Sequence, residues 1–381
     1  MRKILEGSRA VAETIKLCKP QVVSAYPITP QTHIVEDLAQ FKADGEAQYE
    51  YVRAESEFAA ASIVEGASAR GVRVYTATSS QGLLLMTEVL FNIAGMRLPV
   101  VMTCANRAVS APISIWNDYQ DAMTVRDSGW IMLFAENNQE VVDMHIQAYK
   151  IAEKVSLPVM VNMDGFVLTH TFEPVDIPDE KLIDKFLGEY KPKKGQFLDP
   201  KNPVTLGALA TPKHYMEIRE DLHNELATSE KIIKKVSQEF KKTFGRNTGG
   251  IIETYETEDA KIILVGMGSI VGTLREAVDK MREKGKKVGI LKIKCFKPFP
   301  DKEIVKVLQK AKCVAVLDKS ISLGNEGVLS GEVKRACFGK TKAKIQNFVV
   351  GLGGRDVTKE MIEKIVRIVK GGKDEMMFVG K

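Results

Sequence analysis

Glu57 is the side chain of this sequence that is best placed to do chemistry. Its carboxyl group stands where a loop gives way to a helix, directly after Ser56 and among apolar neighbours. A carboxylate in such a place can act as an acid–base group. It can also be a plain N-terminal helix charge, which the helix dipole favours by roughly 0.3–1 kcal/mol. Glu55, two residues earlier, is the main rival for the same role.

Thr29 and Arg107 are a second pair of candidates, suited to recognising a carboxylate. Arginine presents a planar fork of donors, and threonine adds one hydroxyl. Thr29 lies in a loop held stiff by Pro27 and Pro30, and a proline biases the residue before it toward an extended backbone. Arg107 follows the apolar run 99–103. Both are therefore expected at strand carboxyl ends, where α/β sheets bind ligands. A proline-punctuated turn and a surface arginine remain the alternative.

Two polar loops are expected at further strand ends of the same sheet. One contains Ser80, Gln81 and Gly82, and the other is Asn117-Asp118-Tyr119-Gln120-Asp121. A glycine after two polar residues lets the backbone approach a ligand closely, so these loops could form a pocket wall. Turn chemistry and helix capping explain each residue equally well.

Composition indicates an ordinary globular enzyme or binding protein. The 381 residues are 44% hydrophobic and 27% charged, and this length suggests two domains. The net charge of +6 is spread over 55 basic and 49 acidic residues, so no nucleic-acid partner is expected. No stretch approaches the about 20 apolar residues of a membrane span, and no export signal is visible. We therefore expect a cytoplasmic protein that binds no membrane.

The cysteines and histidines predict no metal ligation by this chain. The five cysteines are scattered without C-x-x-C spacing, and their odd number argues against a disulfide framework. Iron–sulfur clusters need clustered cysteines, so no cluster is expected here. The five histidines form no H-x-x-x-H pair, so no zinc site is expected either.

Hydrophobic patterning divides the chain into three parts. Residues 1–172 alternate short apolar strands with helices, which predicts a doubly wound, mostly parallel α/β sheet. This part is expected to include a helix over 7–18 with Ser8 as a possible cap, and one apolar helix over 83–94. Residues 173–256 form a proline-punctuated bridging segment with a charged helix near 213–244. Residues 257–381 restart the βα rhythm as a smaller α/β domain.

Several motifs in register connect this sequence to a known family. In chain order they are Tyr26-Pro27-Ile28-Thr29-Pro30, Glu55-Ser56-Glu57, Thr78-Ser79-Ser80-Gln81-Gly82-Leu83, Asn106-Arg107-Ala108, Ser114-Ile115-Trp116-Asn117-Asp118-Tyr119-Gln120-Asp121 and Asp164-Gly165-Phe166. Together they resemble the α subunit of the multi-subunit pyruvate:ferredoxin oxidoreductases, or pyruvate synthases, of the 2-oxoacid:ferredoxin oxidoreductase family. The third part of the chain resembles the C-terminal domain of transketolase-like enzymes.

The resemblance implies roles for the candidate residues. It implies that Glu57 contacts the aminopyrimidine ring of thiamine diphosphate and tunes a proton site there, and that Thr29 and Arg107 contact the substrate carboxylate. The first domain would then be a pyrimidine-type thiamine-diphosphate-binding domain. Its other cofactor-binding residues would be Pro27, Ile28, Ser80, Gln81, Gly82, Asn117 and Asp118.

The resemblance also implies that the site is shared with another polypeptide. The diphosphate and Mg²⁺ of this cofactor class need a Gly-Asp-Gly motif, but here Met163 precedes Asp164-Gly165. A β subunit would therefore carry the diphosphate and Mg²⁺. Other partners, a γ and a ferredoxin-like δ subunit, complete a heterotetramer whose iron–sulfur clusters lie outside this chain. The chain alone would be inactive.

The expected reaction converts pyruvate, coenzyme A and oxidised ferredoxin to acetyl-CoA, CO₂ and reduced ferredoxin, in either direction. The closest alternative is the same chemistry on a branched 2-oxo acid such as 2-oxoisovalerate. A 2-oxoglutarate enzyme fits less well. By resemblance, the 2-oxoglutarate members of the family carry a glycine-rich Arg-Gly-Gly-Pro segment where this chain has Asn106-Arg107-Ala108. A non-catalytic interaction subunit is a further alternative.

Overall fold

Six strands from the first half of the chain and one from the second half assemble into a seven-stranded sheet. A computed structural model describes residues 2–371 and 375–380. The strands are β2 (Val22–Val23), β3 (Glu50–Tyr51), β4 (Val74–Thr78), β5 (Val101–Asn106), β6 (Ile131–Phe134), β7 (Val159–Asp164) and β12 (Cys295–Lys297). Their order is β12-β6-β7-β5-β4-β2-β3. All neighbours are parallel except β12, which pairs antiparallel with β6.

Helices cover both faces of this sheet, as the doubly wound prediction requires. They are α1 (Gly7–Cys18), α2 (Thr32–Ala43), α3 (Glu57–Ala69), α4 (Ser80–Leu85), α5 (Thr87–Gly95), α6 (Gln120–Thr124) and α7 (Asn138–Val155). One hydrophobic core contains the buried sides of α1, α2 and α7, and a second contains those of α3 and α5. The predicted α/β class is confirmed, and the carboxyl ends of β2, β4, β5 and β7 meet at one edge of the sheet.

Two local predictions in this part are wrong. Ser8 does not cap α1: the N-cap residue is Glu6, and the Ser8 hydroxyl donates a hydrogen bond to the carbonyl of Thr169 at 2.9 Å. The apolar stretch 83–94 is not one helix, because α4 ends at Leu85 and α5 begins at Thr87.

The predicted bridging segment contains regular structure that packs on the first domain. β1 (Arg2–Glu6) and β8 (Phe172–Asp176) form an antiparallel pair, and α8 (Glu180–Leu187) follows. The predicted charged helix is α9 (Pro212–Phe244), which ends at Gly245 with φ 76°. Its apolar side joins the core of α1 and α7, where the rings of Phe186 and Phe240 lie 5.5 Å apart.

The C-terminal part forms a second, six-stranded sheet. Its strands are β9 (Ile252–Tyr255), β10 (Ile262–Gly266), β11 (Val288–Ile293), β13 (Cys313–Asp318), β14 (Lys344–Val349) and β15 (Met377–Phe378), in the order β15-β14-β13-β10-β11-β9. Its helices are α10 (Ile270–Glu283), α11 (Asp301–Leu308), α12 (Val328–Cys337) and α13 (Lys359–Lys370). The domain boundaries at 172 and 256 stay a prediction, although β9, from the bridging segment, pairs with β11 in this sheet.

A buried cluster of charges joins the two sheets. Lys292 Nζ lies 2.6 Å from Glu136 Oε2 and 2.7 Å from Glu140 Oε1, and its side chain is only 1% exposed. Lys294 Nζ lies 2.6 Å from Glu253 Oε2. Burial alone would raise the pKa of Glu253, but Lys294 and Lys292 together lower it to about 2. The ammonium groups of Lys292, in β11, and of Lys294, just after β11, are thus neutralised by carboxylates from both domains.

We expect Lys292→Met to lower the free energy of unfolding by about 3–5 kcal/mol, because it leaves buried carboxylates without their shared cation. Urea unfolding of the chain measures the change. The control is Lys42→Met, which removes an exposed pair with Glu50 and should hardly move the transition. Equal effects of the two substitutions would contradict a buried, interdependent cluster.

Candidate active site

Glu57 is the first residue of α3, and its carboxylate is buried without a partner. The Ser56 hydroxyl caps the helix by accepting a hydrogen bond from the Ala59 N–H at 3.1 Å. Glu57 is 8% exposed. Within residues 2–371 and 375–380, no group forms a hydrogen bond or ion pair with its carboxylate. The rival Glu55 is exposed. Buried polar groups in proteins are nearly always paired, so Glu57 is the candidate that a ligand would complete.

Gly82 lies directly against Glu57. A Cβ atom at Gly82 would stand 2.6 Å from Glu57 Oε1 and 2.5 Å from Thr78 Oγ1. Contacts this short do not occur in folded proteins, so any side chain here would displace the carboxylate. The glycine is therefore required by the close approach of two loops, and the sequence prediction that places both residues in one site is consistent with this contact.

The structure brings Thr29 and Arg107 together at the same edge of the sheet. Arg107 Nη1 donates to the Thr29 carbonyl at 2.9 Å, and its Nε donates to the Ser114 carbonyl at 3.0 Å. Thr29 is exposed, whereas Arg107 is 6% exposed. Burial lowers the pKa of Arg107, and the charge of Asp121 opposes this only in part. Among the described residues no carboxylate forms an ion pair with Arg107, so an incoming anion would stabilise the guanidinium.

Asp121 holds together the segments that carry these groups, whereas the sequence predicted only that it belongs to a pocket wall. Its carboxylate accepts hydrogen bonds from the backbone N–H groups of Ser80 and Arg107, each at 3.0 Å, and from Asn106 Nδ2 at 3.1 Å. The side chain is fully buried, and burial raises its pKa to about 6. Asp121 thus fixes the ends of β4 and β5 relative to each other. The sequence signals were its place in a polar loop and in a matching motif.

Ser80 and Gln81 were expected in a polar loop, but they are the first two residues of α4. Ser80 has φ 47°, a left-handed conformation that is costly for a residue other than glycine and is typical of functional sites. Its hydroxyl donates to the Ala108 carbonyl at 2.5 Å and also contacts the Gln81 side chain, whose amide reaches Ser110. Their contact with a cofactor stays a prediction, as does that of Pro27, which is exposed, and of Ile28, which is half-buried.

Comparison with known proteins identifies the family. Residues 13–238 match the family described as "Pyruvate flavodoxin/ferredoxin oxidoreductase, thiamine diP-bdg", and residues 260–362 match "Pyruvate:ferredoxin oxidoreductase core domain II". The sequence is 48% identical to pyruvate synthase subunit PorA of Pyrococcus furiosus, over 98% of this chain and 96% of that relative. The chain belongs to the pyruvate:ferredoxin oxidoreductase family. It is an α-type subunit of an oxidoreductase.

Further relatives refine the similarity within this family. Identity is 50% to pyruvate synthase subunit PorA of Methanosarcina barkeri, over 96% of this chain and 92% of the relative. It is 44% to ketoisovalerate oxidoreductase subunit VorA of Pyrococcus horikoshii, over 98% and 96%. A solved 2-oxoglutarate:ferredoxin oxidoreductase from Magnetococcus marinus has the same fold, with a TM-score of 0.72 and 23% identity; the match covers 98% of this chain and 65% of that one.

Asn117 links the site of this family member to its second domain. Its Nδ2 donates to the Asn106 carbonyl at 3.1 Å, and its Oδ1 accepts from Lys319 Nζ. The same ammonium group lies 2.7 Å from Asp164 Oδ2, and Asp164 Oδ1 accepts from the Tyr119 hydroxyl at 2.7 Å. The substrate-side loop is therefore braced by a lysine that follows β13. Sequence spacing could not predict this contact, because Asn117 and Lys319 are some 200 residues apart.

Asp118 is also bonded within the chain. Its Oδ1 accepts from the Gln120 N–H at 3.0 Å and its Oδ2 accepts from the Gly353 N–H at 3.1 Å. Burial raises the pKa of Asp118, although these two hydrogen-bond donors act to lower it. Asn117 and Asp118 thus join the two domains, and their predicted contact with the cofactor stays a prediction.

No helix of the described residues is long and apolar enough to span a membrane. All five cysteines are free thiols: Cys18, Cys104, Cys295, Cys313 and Cys337. Among the histidines, His145 is wholly buried, His214 and His223 lie exposed on α9, and His33 and His170 come together near Glu6. The sequence spacing, from which we predicted no metal ligands, did not indicate that Glu6, His33 and His170 meet.

We expect Gly82→Ala to reduce 2-oxo acid-dependent viologen reduction by the assembled complex at least about 10-fold, because the new methyl group displaces Glu57 or Thr78. The control is Gly66→Ala in the same helix as Glu57, where an added Cβ meets nothing within 4 Å. Alanine is favoured over glycine inside a helix, so this variant should keep full activity. A fully active Gly82→Ala complex would show that the close packing is not needed.

Proposed function

We propose that this chain is the α subunit of a pyruvate synthase and provides the pyrimidine half of a thiamine diphosphate site shared with a partner chain. The buried, unpaired carboxylate of Glu57 is the observation that carries the proposal. The matching family is described as thiamine diphosphate-binding, and relatives named as pyruvate synthase subunits are 48–50% identical, against 44% for ketoisovalerate oxidoreductase subunits.

The residues around Glu57 fit the cofactor's aminopyrimidine ring. The carboxylate retains a little exposed surface, has no competing donor among the described residues, and starts a helix whose dipole stabilises its charge. When bound, thiamine diphosphate supplies a carbon nucleophile and an electron sink for decarboxylation. Glu57 would hold the aminopyrimidine ring by accepting a hydrogen bond from it and would keep a proton at that position. Gly82 leaves the space this contact requires.

Arg107 and Thr29 fit the substrate's carboxylate. Arg107 Nη2 forms no hydrogen bond with the described residues, so this part of the guanidinium fork is open to an anion. The exposed Thr29 lies beside it, because Arg107 holds the Thr29 carbonyl. Together they would orient pyruvate by its carboxylate, and the bonds of Arg107 to the Thr29 and Ser114 carbonyls keep the guanidinium in place before substrate arrives.

Asp164 supports the placement of the diphosphate half on another chain. It occupies the place of the aspartate in a Gly-Asp-Gly motif, but its oxygens are bonded to Tyr119, Lys319 and Ser269. A carboxylate held by an ammonium group and two hydroxyls is not free to bind Mg²⁺. We therefore assign the diphosphate and Mg²⁺ to a β subunit.

Exposed apolar side chains near the site are consistent with such a partner. They are Phe58, Leu85, Ile113, Ile115 and Trp116. Exposed apolar clusters of this kind mark protein interfaces.

The proposed complex also contains a γ and a ferredoxin-like δ subunit, which carry the iron–sulfur clusters. It converts pyruvate, coenzyme A and oxidised ferredoxin reversibly to acetyl-CoA, CO₂ and reduced ferredoxin. Residence in the cytoplasm stays a prediction of the sequence.

The second candidate function is the same reaction on 2-oxoisovalerate, which the similarity to ketoisovalerate oxidoreductase subunits favours. Comparing kcat/KM of the native complex for pyruvate and 2-oxoisovalerate decides between them. A higher value for the branched acid would overturn the pyruvate assignment. A non-catalytic role for this chain is tested separately by substitutions at its own site.

We expect Glu57→Gln to reduce turnover of the assembled complex by about 10²–10⁴-fold, because the amide cannot hold the proton on the cofactor ring. Glu55→Gln, two residues away and exposed, is the matched control and should leave turnover unchanged. Size-exclusion chromatography confirms that each variant assembles. A fully active Glu57→Gln complex would support the non-catalytic role instead.

We expect Arg107→Lys to raise KM for pyruvate more than tenfold, equivalent to about 1.4 kcal/mol or more, because a lysine lacks the bidentate fork. Steady-state kinetics of the complex measure KM and kcat separately. Arg367→Lys on the exposed face of α13 is the control. An unchanged KM in Arg107→Lys would remove Arg107 from the substrate site.

A further inference from the structure

Three metal-ligating side chains from distant parts of the chain converge behind the Thr29 loop. Glu6 ends β1, His33 lies in the first turn of α2, and His170 lies in the turn between β7 and β8. One ligand atom from each lies within 4.8 Å of the other two. His33 Nδ1 is 2.8 Å from Glu6 Oε1, and the two imidazole rings have centroids 4.7 Å apart.

A second set of contacts fixes the orientation of His170. Its Nδ1 lies 2.7 Å from Thr169 Oγ1, which also accepts a hydrogen bond from the Phe166 N–H at 2.8 Å. The Phe166 ring packs against the imidazole, with centroids 4.7 Å apart. With Nδ1–H donating to the hydroxyl, Nε2 keeps its lone pair. Metal-binding histidines commonly use their second nitrogen in this way.

The cluster combines two imidazoles with one carboxylate. Glu6 Oε1 lies 2.8 Å from His33 Nδ1 and supplies the negative charge of the cluster. One nitrogen of each imidazole and one carboxylate oxygen therefore lie close enough together to share one ion.

We propose that Glu6, His33 and His170 bind a divalent transition-metal ion of the zinc class. Two histidines and a carboxylate are a common ligand set for zinc, with water in the fourth position, and the exposure of His33 leaves room for that water. Calcium and magnesium prefer oxygen ligands. Ligand bonds of about 2.0–2.2 Å need only small side-chain movements from the present geometry.

The bound ion would fix the loop that carries Thr29. His33 is four residues after Thr29, and His170 lies in the turn that begins at Gly165. A Cβ atom at Gly165 would stand 2.7 Å from Pro30 Cγ, so this turn packs against the same loop. The Phe166 ring also stacks on Trp116 at 4.6 Å. The metal thus ties β1, the Thr29 loop and the turn after β7 into one unit, as a structural rather than a catalytic site.

The test is titration of the purified full-length chain, stripped with a chelator, with Zn²⁺ and then with Co²⁺. We expect one equivalent of Zn²⁺ to bind and to raise Tm. Co²⁺ should give visible d–d bands without thiolate charge-transfer bands. His170→Gln and His33→Gln should each weaken Zn²⁺ binding about 100-fold or more and abolish the rise in Tm. His214→Gln, on the exposed face of α9, should bind as the original chain does.

Two further measurements distinguish a loss of metal binding from a loss of folding. Circular dichroism of the metal-free variants shows whether each is folded, and Glu6→Gln, which keeps size and shape, provides a second variant with the same expected loss. Equal Zn²⁺ affinity in the original chain and in folded His170→Gln would overturn the proposal. Thiolate bands in the Co²⁺ spectrum would also overturn it, by assigning the metal to the cysteines.

Discussion

A buried carboxylate without a partner is the constraint on which the site depends. Removing a charge from water costs several kcal/mol unless hydrogen bonds or a counter-charge replace the lost hydration. Glu57 receives partial compensation from the dipole of α3, which Ser56 caps. No donor among the described residues supplies the rest, and in the proposed function the cofactor would do so. Gly82 leaves the space that the carboxylate occupies.

Asp121 shows the opposite solution to the same problem. It is buried even more deeply than Glu57, but backbone and side-chain donors from the ends of β4 and β5 converge on its oxygens. Its raised pKa near 6 shows that burial still outweighs those donors. One carboxylate therefore organises the loops, and the other remains available within them. Burial alone would not distinguish the two roles, but hydrogen-bond accounting does.

Local sequence signals determined much of this architecture in advance. The βα rhythm, the capped start of α3 and the long charged α9 depend on residues close in sequence, and each was predictable from spacing and propensity. The four-residue strand β6 was missed because the short apolar run that contains it, residues 130–135, does not distinguish strand from helix. The burial of Lys292 was also unforeseeable, since it depends on carboxylates more than 150 residues away.

The site shows the same division between local and long-range information. Thr29 and Arg107 were placed at one edge by the rule that strand carboxyl ends meet there, and the structure joins them through a backbone carbonyl. The bracing of Asn117 by Lys319 and the meeting of Glu6, His33 and His170 arise only when distant segments pack. No spacing rule for a single helix can reveal such clusters.

The contacts of Asp164 explain how the second domain is joined to the first sheet beside the candidate site. A carboxylate at the end of β7 would be free to bind a cation if the edge of the sheet were open. Here Lys319 and Ser269 of the second domain, with Tyr119, occupy both of its oxygens. The same lysine holds Asn117 and thereby the loop beside Arg107. The Asp164 carboxylate therefore joins the second domain to the sheet and is not free to bind a metal. In the proposed function, the chain supplies the pyrimidine half of the site, and the metal half belongs to a partner chain.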